Sequence, residues 1–131
     1  MKYLLDSNTV IDLLRGNENI AEKYNFELLD GNKFFICPII YYEVMRGFKV
    51  LDGEKKIENF LKFYQMWDNL PMNDEAMLKA AEIYVKLRKG QTIEDNDILV
   101  AAIAIVYDCT LVSANEKHFS RIDGLKYENW R

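Results

Sequence analysis

Three short apolar segments, Tyr3-Leu4-Leu5, Lys33 to Cys37 and Thr110 to Ser113, are separated by long stretches with helical periodicity. None is long enough to be a buried helix, and none alternates apolar with polar residues. Strands that are apolar on both faces belong to parallel sheets covered by helices on each side. Short strands alternating with helices therefore predict an α/β fold with a parallel sheet and right-handed crossovers.

The helices are marked by spacing and punctuation. Ser7 or Asn8 can cap a first helix, in which Val10, Ile11, Leu13 and Leu14 share a face and which Gly16 stops. Asn17 can cap a second helix that runs to about Leu29 and closes at Asp30-Gly31. Pro38 suits the first turn of a third, over about Ile39 to Phe48. Lys55 to Asp68 and Asp74 to Lys89 follow, with Leu70-Pro71-Met72 as a brief extended piece between them. Glu94 to Tyr107 is alanine-rich and apolar all round, as in a buried helix, with Asp95 or Asn96 as its cap. Asn115 to Ser120 reads as a turn or short helix, and Leu125 to Trp130 as a last edge strand. There is no internal repeat and no Pro/Gly/Ser linker, so residues 1–131 are expected to form a single domain.

Composition narrows the function. Hydrophobic residues make up 50% and charged residues 29%, which are globular values. The formal net charge of −4 argues against non-specific electrostatic nucleic-acid binding, so any such role needs a metal or a local basic face. Cys37 and Cys109 sit in apolar runs without CxxC spacing and read as buried, reduced thiols of a cytosolic protein. Asp6 interrupts any signal-peptide core. The longest apolar run, Ile98 to Tyr107, is ten residues, against about 20 for a membrane span. A soluble, cytoplasmic protein with no membrane association is expected.

In a parallel sheet, ligands gather at the carboxyl ends of the strands. Asp6 ends the first strand. Glu43 lies in the early turns of the helix after the second, and Asp97 in the first turn of the alanine-rich helix. Ser113 and Asn115 follow the late strand. Each has an ordinary reading alone: a helix cap, an Arg46 partner, a helix-dipole acid, a turn residue. Together they put three acids and an amide on one edge. Two carboxylates about 5 Å apart repel by roughly 3 kcal/mol at an effective dielectric of 20. A cation relieves that repulsion, and hard oxygen donors point to Mg2+ or Mn2+. Such an ion can hold a phosphodiester oxygen and activate water.

Other chemistry finds little support. His118 reads as a surface or packing residue rather than a base. There is no GxSxG and no phosphate-binding glycine loop. Tyr41 and Tyr42 precede Glu43 and could stack on a base, although core or partner packing is the ordinary role. Arg46, Lys49, Lys55, Lys56 and Lys62 read as a solvated face.

The acid-bearing segments resemble the motifs of PIN-domain nucleases, above all the VapC toxin branch. Leu4 to Asp12 (LLDSNTVID) resembles the family's LLDTNVLID opening, and Glu43-Val44-Met45-Arg46-Gly47 its E-L-x-x-G segment. Asp97 to Ala104 resembles D-x-x-I-A-A-x-A, and Leu111 to Leu125 the closing L-V-T-x-N-x-x-x-F-x-x-I-x-G-L. The match spans nearly the whole chain in order. It implies a three-layer α/β/α sandwich with a short parallel sheet. It also implies a carboxylate-lined Mg2+ or Mn2+ site and endoribonuclease activity, usually as the toxin of a toxin–antitoxin pair. By the same resemblance the protein is a homodimer that acts on RNA and is silenced by a cognate VapB-like antitoxin. Asp6, Glu43 and Asp97 match the acidic metal ligands and catalytic residues, and Asn8 a supporting amide. Asp97 is preferred to Asp95 by its spacing to Ala101-Ala102. Ser7 and Ser113 stand where threonine is usual. Asn115 falls where many members carry a fourth acid.

Three competitors remain at this stage. A PIN-domain nuclease of RNA processing shares every motif. A silent binding module would not need three intact acids. A phosphatase of the haloacid dehalogenase type also begins with an aspartate after strand one, but it needs a second two residues later, where this chain has Asn8.

Overall fold

The computed structural model describes residues 1–90 and 92–131. The chain runs β1 (Lys2–Leu5), α1 (Ser7–Leu14), α2 (Glu18–Leu29), β2 (Lys33–Ile36), α3 (Pro38–Val50), α4 (Glu54–Tyr64) and β3 (Asp68–Asn69). It continues with α5 (Asp74–Leu87), α6 (Asp95–Val106), β4 (Thr110–Val112), α7 (Glu116–Phe119) and β5 (Tyr127–Glu128). The strands form one sheet in the order β3-β2-β1-β4-β5. Every pair is parallel.

β1 takes the centre because it is apolar on both faces. Leu4 pairs with Phe35 of β2 on one side and with Leu111 of β4 on the other. Leu4, Leu5, Ile36, Leu111 and Val112 are fully buried. The helices form two groups, α1 to α4 packed together and α5 against α6, which with the sheet makes the three-layer α/β/α arrangement. In α6, Ile98, Val100, Ala101, Ala102, Ile103 and Ala104 are all buried, so the helix is covered nearly all round. Its alanines permit that closeness, since a larger side chain would overfill the space.

The edges are short, as exposed strand edges usually are. β3 and β5 have two residues each. β3 is Asp68–Asn69, not the expected Leu70-Pro71-Met72. Asp68 and Asn69 face solvent and carry no strand pattern; they are a strand because their backbone pairs with Phe35 and Ile36. Helix α4 correspondingly ends at Tyr64 rather than Asp68. The cap of α1 is also one residue earlier than expected: Asp6 itself accepts from the Ser7 N–H.

The last residues fold back on the body. The Trp130 ring stands edge-on to Tyr3 at 5.3 Å and to Phe34 at 6.3 Å. The Arg131 guanidinium grips both carboxylate oxygens of Asp12 on α1, at 2.7 and 3.2 Å. No helix among the described residues is long and apolar enough to cross a membrane. Both cysteines are buried and unpaired.

Candidate active site at the carboxyl ends of β1 and β4

Asp6 is the first residue past β1, and its backbone N–H continues the ladder by donating to Val112 O at 3.0 Å. That bond fixes where its side chain begins. Oδ1 accepts from the Ser7 N–H at 2.9 Å. Oδ2 accepts the Ser113 hydroxyl at 2.7 Å. The side chain is thus held at both oxygens, and the residue is only 3% exposed. Burial pushes the Asp6 carboxyl up to about 6, against the opposing bonds from Ser113 and Ser7. The negative charges of Asp97 and Glu43 push in the same direction as burial.

The supporting residues join β1 to β4. Asn8 Oδ1 accepts from the Ala114 N–H at 3.1 Å, and Asn8 Nδ2 reaches Ser113 Oγ at 3.3 Å. Ser113 Oγ also accepts from the Asn115 N–H at 3.0 Å. Thr9 donates its hydroxyl to Val112 O at 3.0 Å. Asn8, Ser113 and Asn115 therefore belong to one network with Asp6, although more than a hundred residues separate the two sides in sequence.

Asp97 enters from the first turn of α6. The Asn115 amide nitrogen lies 3.2 Å from its Oδ2, and His118 Nδ1 lies 2.7 Å from the same oxygen. Asp95, two residues earlier, is exposed and lines a surface depression with Met77 and Tyr84 of α5. Glu43 comes from α3, with Arg46 one turn on at 3.9 Å. Partial burial raises the Glu43 pKa, a hydrogen bond from the Asn96 side chain opposes this, and the Asp97 charge adds to the rise. Cys37, between β2 and α3, has its thiol pushed up to about 12, chiefly by burial and further by the charges of Asp6 and Glu43. It is no nucleophile at neutral pH.

The structure thus brings Asp6, Asn8, Ser113, Asn115 and Asp97 into one connected network, with Glu43 close enough for its charge to bear on both acids. His118 is the correction. Sequence reasoning left it to surface or packing, whereas the structure binds it to Asp97 and places its Nδ1 2.8 Å from the Asn115 amide nitrogen. A usable signal was its position three residues after Asn115, since residues i and i+3 share a face of a helical turn.

Donor chemistry suits a hard divalent cation. The three acids supply oxygens, and each acid's charge makes ionising its neighbours harder, a cost that a cation reverses. Among the described residues no three of His, Cys, Asp and Glu form a closed cage for an ion. That fits a cation held by one or two carboxylates, with water and substrate oxygens completing its shell, which is the habit of Mg2+.

The sequence matches the PIN domain family over residues 3–125. Ribonuclease VapC2 of Rickettsia felis is 35% identical over 137 residues, covering 99% of this chain and 98% of that protein. The tRNA(fMet)-specific endonuclease VapC of Salmonella typhimurium is 28% identical, covering 99% of this chain and 98% of the relative. In the crystal structure of DNA-bound VapBC from Salmonella typhimurium, one chain superposes with a TM-score of 0.88 at 27% identity, over 100% of this chain and 99% of that one.

Proposed function

This chain belongs to the PIN-domain family, in its VapC branch, and from that premise we propose that it is a divalent-metal-dependent endoribonuclease, the toxin of a toxin–antitoxin pair. The observation that carries the reading is the meeting of Asp6 and Asp97, from opposite ends of the sequence, in one hydrogen-bonded network with the Glu43 charge beside them. Nothing in the packing of the sheet requires three acids there.

In this reading Asp6 and Asp97 hold Mg2+ or Mn2+, and Glu43 completes the site or orients the attacking water. When bound, the cation supplies charge to a phosphodiester oxygen and acidity to water. The protein's own contribution is rigidity. Asp6 is tied by Ser7 and Ser113, so its carboxylate does not swing away from the position the reaction needs. The hydrogen bonds to Asp97 both fall on Oδ2, which leaves Oδ1 for a ligand. Asn8 keeps Ala114 and Ser113 in place and thereby holds the Asn115 backbone. Cytoplasmic RNA is the substrate and a VapB-like protein the silencing partner, as supported by the names of the relatives and by the VapBC complex. A homodimer is the working assembly.

The reading is tested by mapping new RNA 5′ ends after brief induction, wild type against Asp97→Asn. A few sharp cuts, absent in the variant, are expected. Cuts made equally by a folded Asp97→Asn protein overturn the site. No new ends in the native host overturn the activity.

A further inference from the structure

The single histidine of the sequence joins the site in a way that hydrogen bonding alone does not satisfy. Asp97 Oδ2, His118 Nδ1 and Asn115 Nδ2 make a triangle with sides of 2.7, 2.8 and 3.2 Å. A carboxylate oxygen only accepts, an imidazole nitrogen either donates or accepts, and the amide nitrogen only donates. With Nδ1 protonated, His118 and Asn115 both donate to Asp97, but two N–H groups then face each other at 2.8 Å. With Nδ1 bare, Asn115 can serve both neighbours, but two lone pairs then face each other at 2.7 Å. Turning the Asn115 amide over sets its oxygen against that of Asp97 at 3.2 Å. Every arrangement with Asp97 ionised leaves one side of the triangle repulsive.

A divalent cation removes the conflict, because it accepts a lone pair from all three corners once the amide presents its oxygen. Neighbouring ligands in an octahedral shell of 2.0–2.1 Å bonds lie about 3 Å apart. The three sides straddle that spacing. We propose that Asp97, Asn115 and His118 form one face of the metal site, with His118 Nδ1 as a ligand that favours a first-row transition ion over Mg2+. The inference rests on the metal-dependent reading above and adds the metal's identity to it. Mg2+ prefers oxygen, whereas imidazole suits the later, softer ions. His118 then keeps its remaining proton on Nε2. Its side chain is 32% exposed and that of Asp97 14%, so an ion reaches them from the edge without rearrangement of the sheet.

The test uses the untagged protein with Mn2+ as the probe and pulsed electron paramagnetic resonance as the readout. One sample carries natural histidine and the other histidine labelled with 15N in the ring. Since no other histidine exists in the chain, an imidazole coupling that changes from 14N to 15N between the samples identifies His118 as a ligand. In parallel, His118→Phe is expected to weaken Mn2+ binding by about tenfold or more and to leave Mg2+ binding unchanged. Mn2+ bound without an imidazole coupling overturns this proposal and leaves the carboxylate site standing. Absence of Mn2+ binding overturns both.

Discussion

Ser113 donates its hydroxyl proton to Asp6 Oδ2 at 2.7 Å, across the junction of β1 and β4. The same oxygen accepts from the Asn115 N–H at 3.0 Å and is reached by Asn8 Nδ2 at 3.3 Å. Ser113 is fully buried, so no water replaces it. Ser113→Ala is therefore expected to lower stability by about 1–3 kcal/mol, the cost of buried groups left unpaired, and to cut RNA cleavage. Ser113→Thr retains the hydroxyl and is expected to retain cleavage. Urea denaturation and a cleavage assay on both variants check this.

The raised Asp6 pKa makes the metal-free protein less stable as pH rises. The folded state keeps its proton up to about 6, whereas the unfolded chain loses it near 3.8. Below the unfolded value the two states bind the same proton and there is no penalty. Between the two values the folded state binds more protons, so stability declines with pH, and above about 6 the loss is complete. At 1.36 kcal/mol per unit the loss amounts to about 3 kcal/mol. Asp6→Asn is expected to flatten the profile over this window, as read from denaturation midpoints in chelator at several pH values, while abolishing cleavage.

Metal binding reverses that penalty. Mn2+ at 100 times its Kd is expected to stabilise the fold by about 2.7 kcal/mol, seen as a saturable rise in Tm. The rise at a given Mn2+ concentration is expected to be larger at pH 7 than at pH 5, because protons compete for Asp6 at the lower value. It is expected to vanish in Asp97→Asn. A Tm that does not respond to Mn2+ contradicts the site.

Packing makes its own prediction on α6. Ala101 and Ala102 are fully buried on a helix that is covered nearly all round. Ala102→Leu adds carbon atoms where none fit and is expected to cost about 1–3 kcal/mol. Calorimetry reads the shift directly. A neutral result means that α6 is more loosely packed than the burial implies.

What was readable in the sequence follows from which forces act locally. The central strands announce themselves because Leu4, Leu5, Ile36 and Leu111 are apolar on both faces. Helices α2, α5 and α6 announce themselves by periodicity and by caps such as Asn17 and Asn73. Asp6, Glu43, Asp97, Asn8, Ser113 and Asn115 could be named because each has a fixed offset from a strand end or helix start, and because the motifs of a known family fell on the same residues. β3 was misplaced because Asp68 and Asn69 owe their strand to the backbone of β2 and have no pattern of their own. His118 was missed because its meeting with Asp97, 21 residues away, depends on how α6 and α7 pack.

The strand order has a consequence for the protein while it is being made. The innermost strand is the first to leave the ribosome, and one of its two neighbours, Thr110–Val112, is among the last. Until that neighbour arrives, Asp6 lacks the backbone acceptor at Val112 and the hydroxyl of Ser113, and Asp97 lacks Asn115 and His118. Contacts this distant in sequence close late. A half-synthesised or prematurely terminated chain carries all three acids and cannot assemble them. In a cell that makes such a nuclease beside its own messages, the enzyme stays harmless until translation of it is nearly complete.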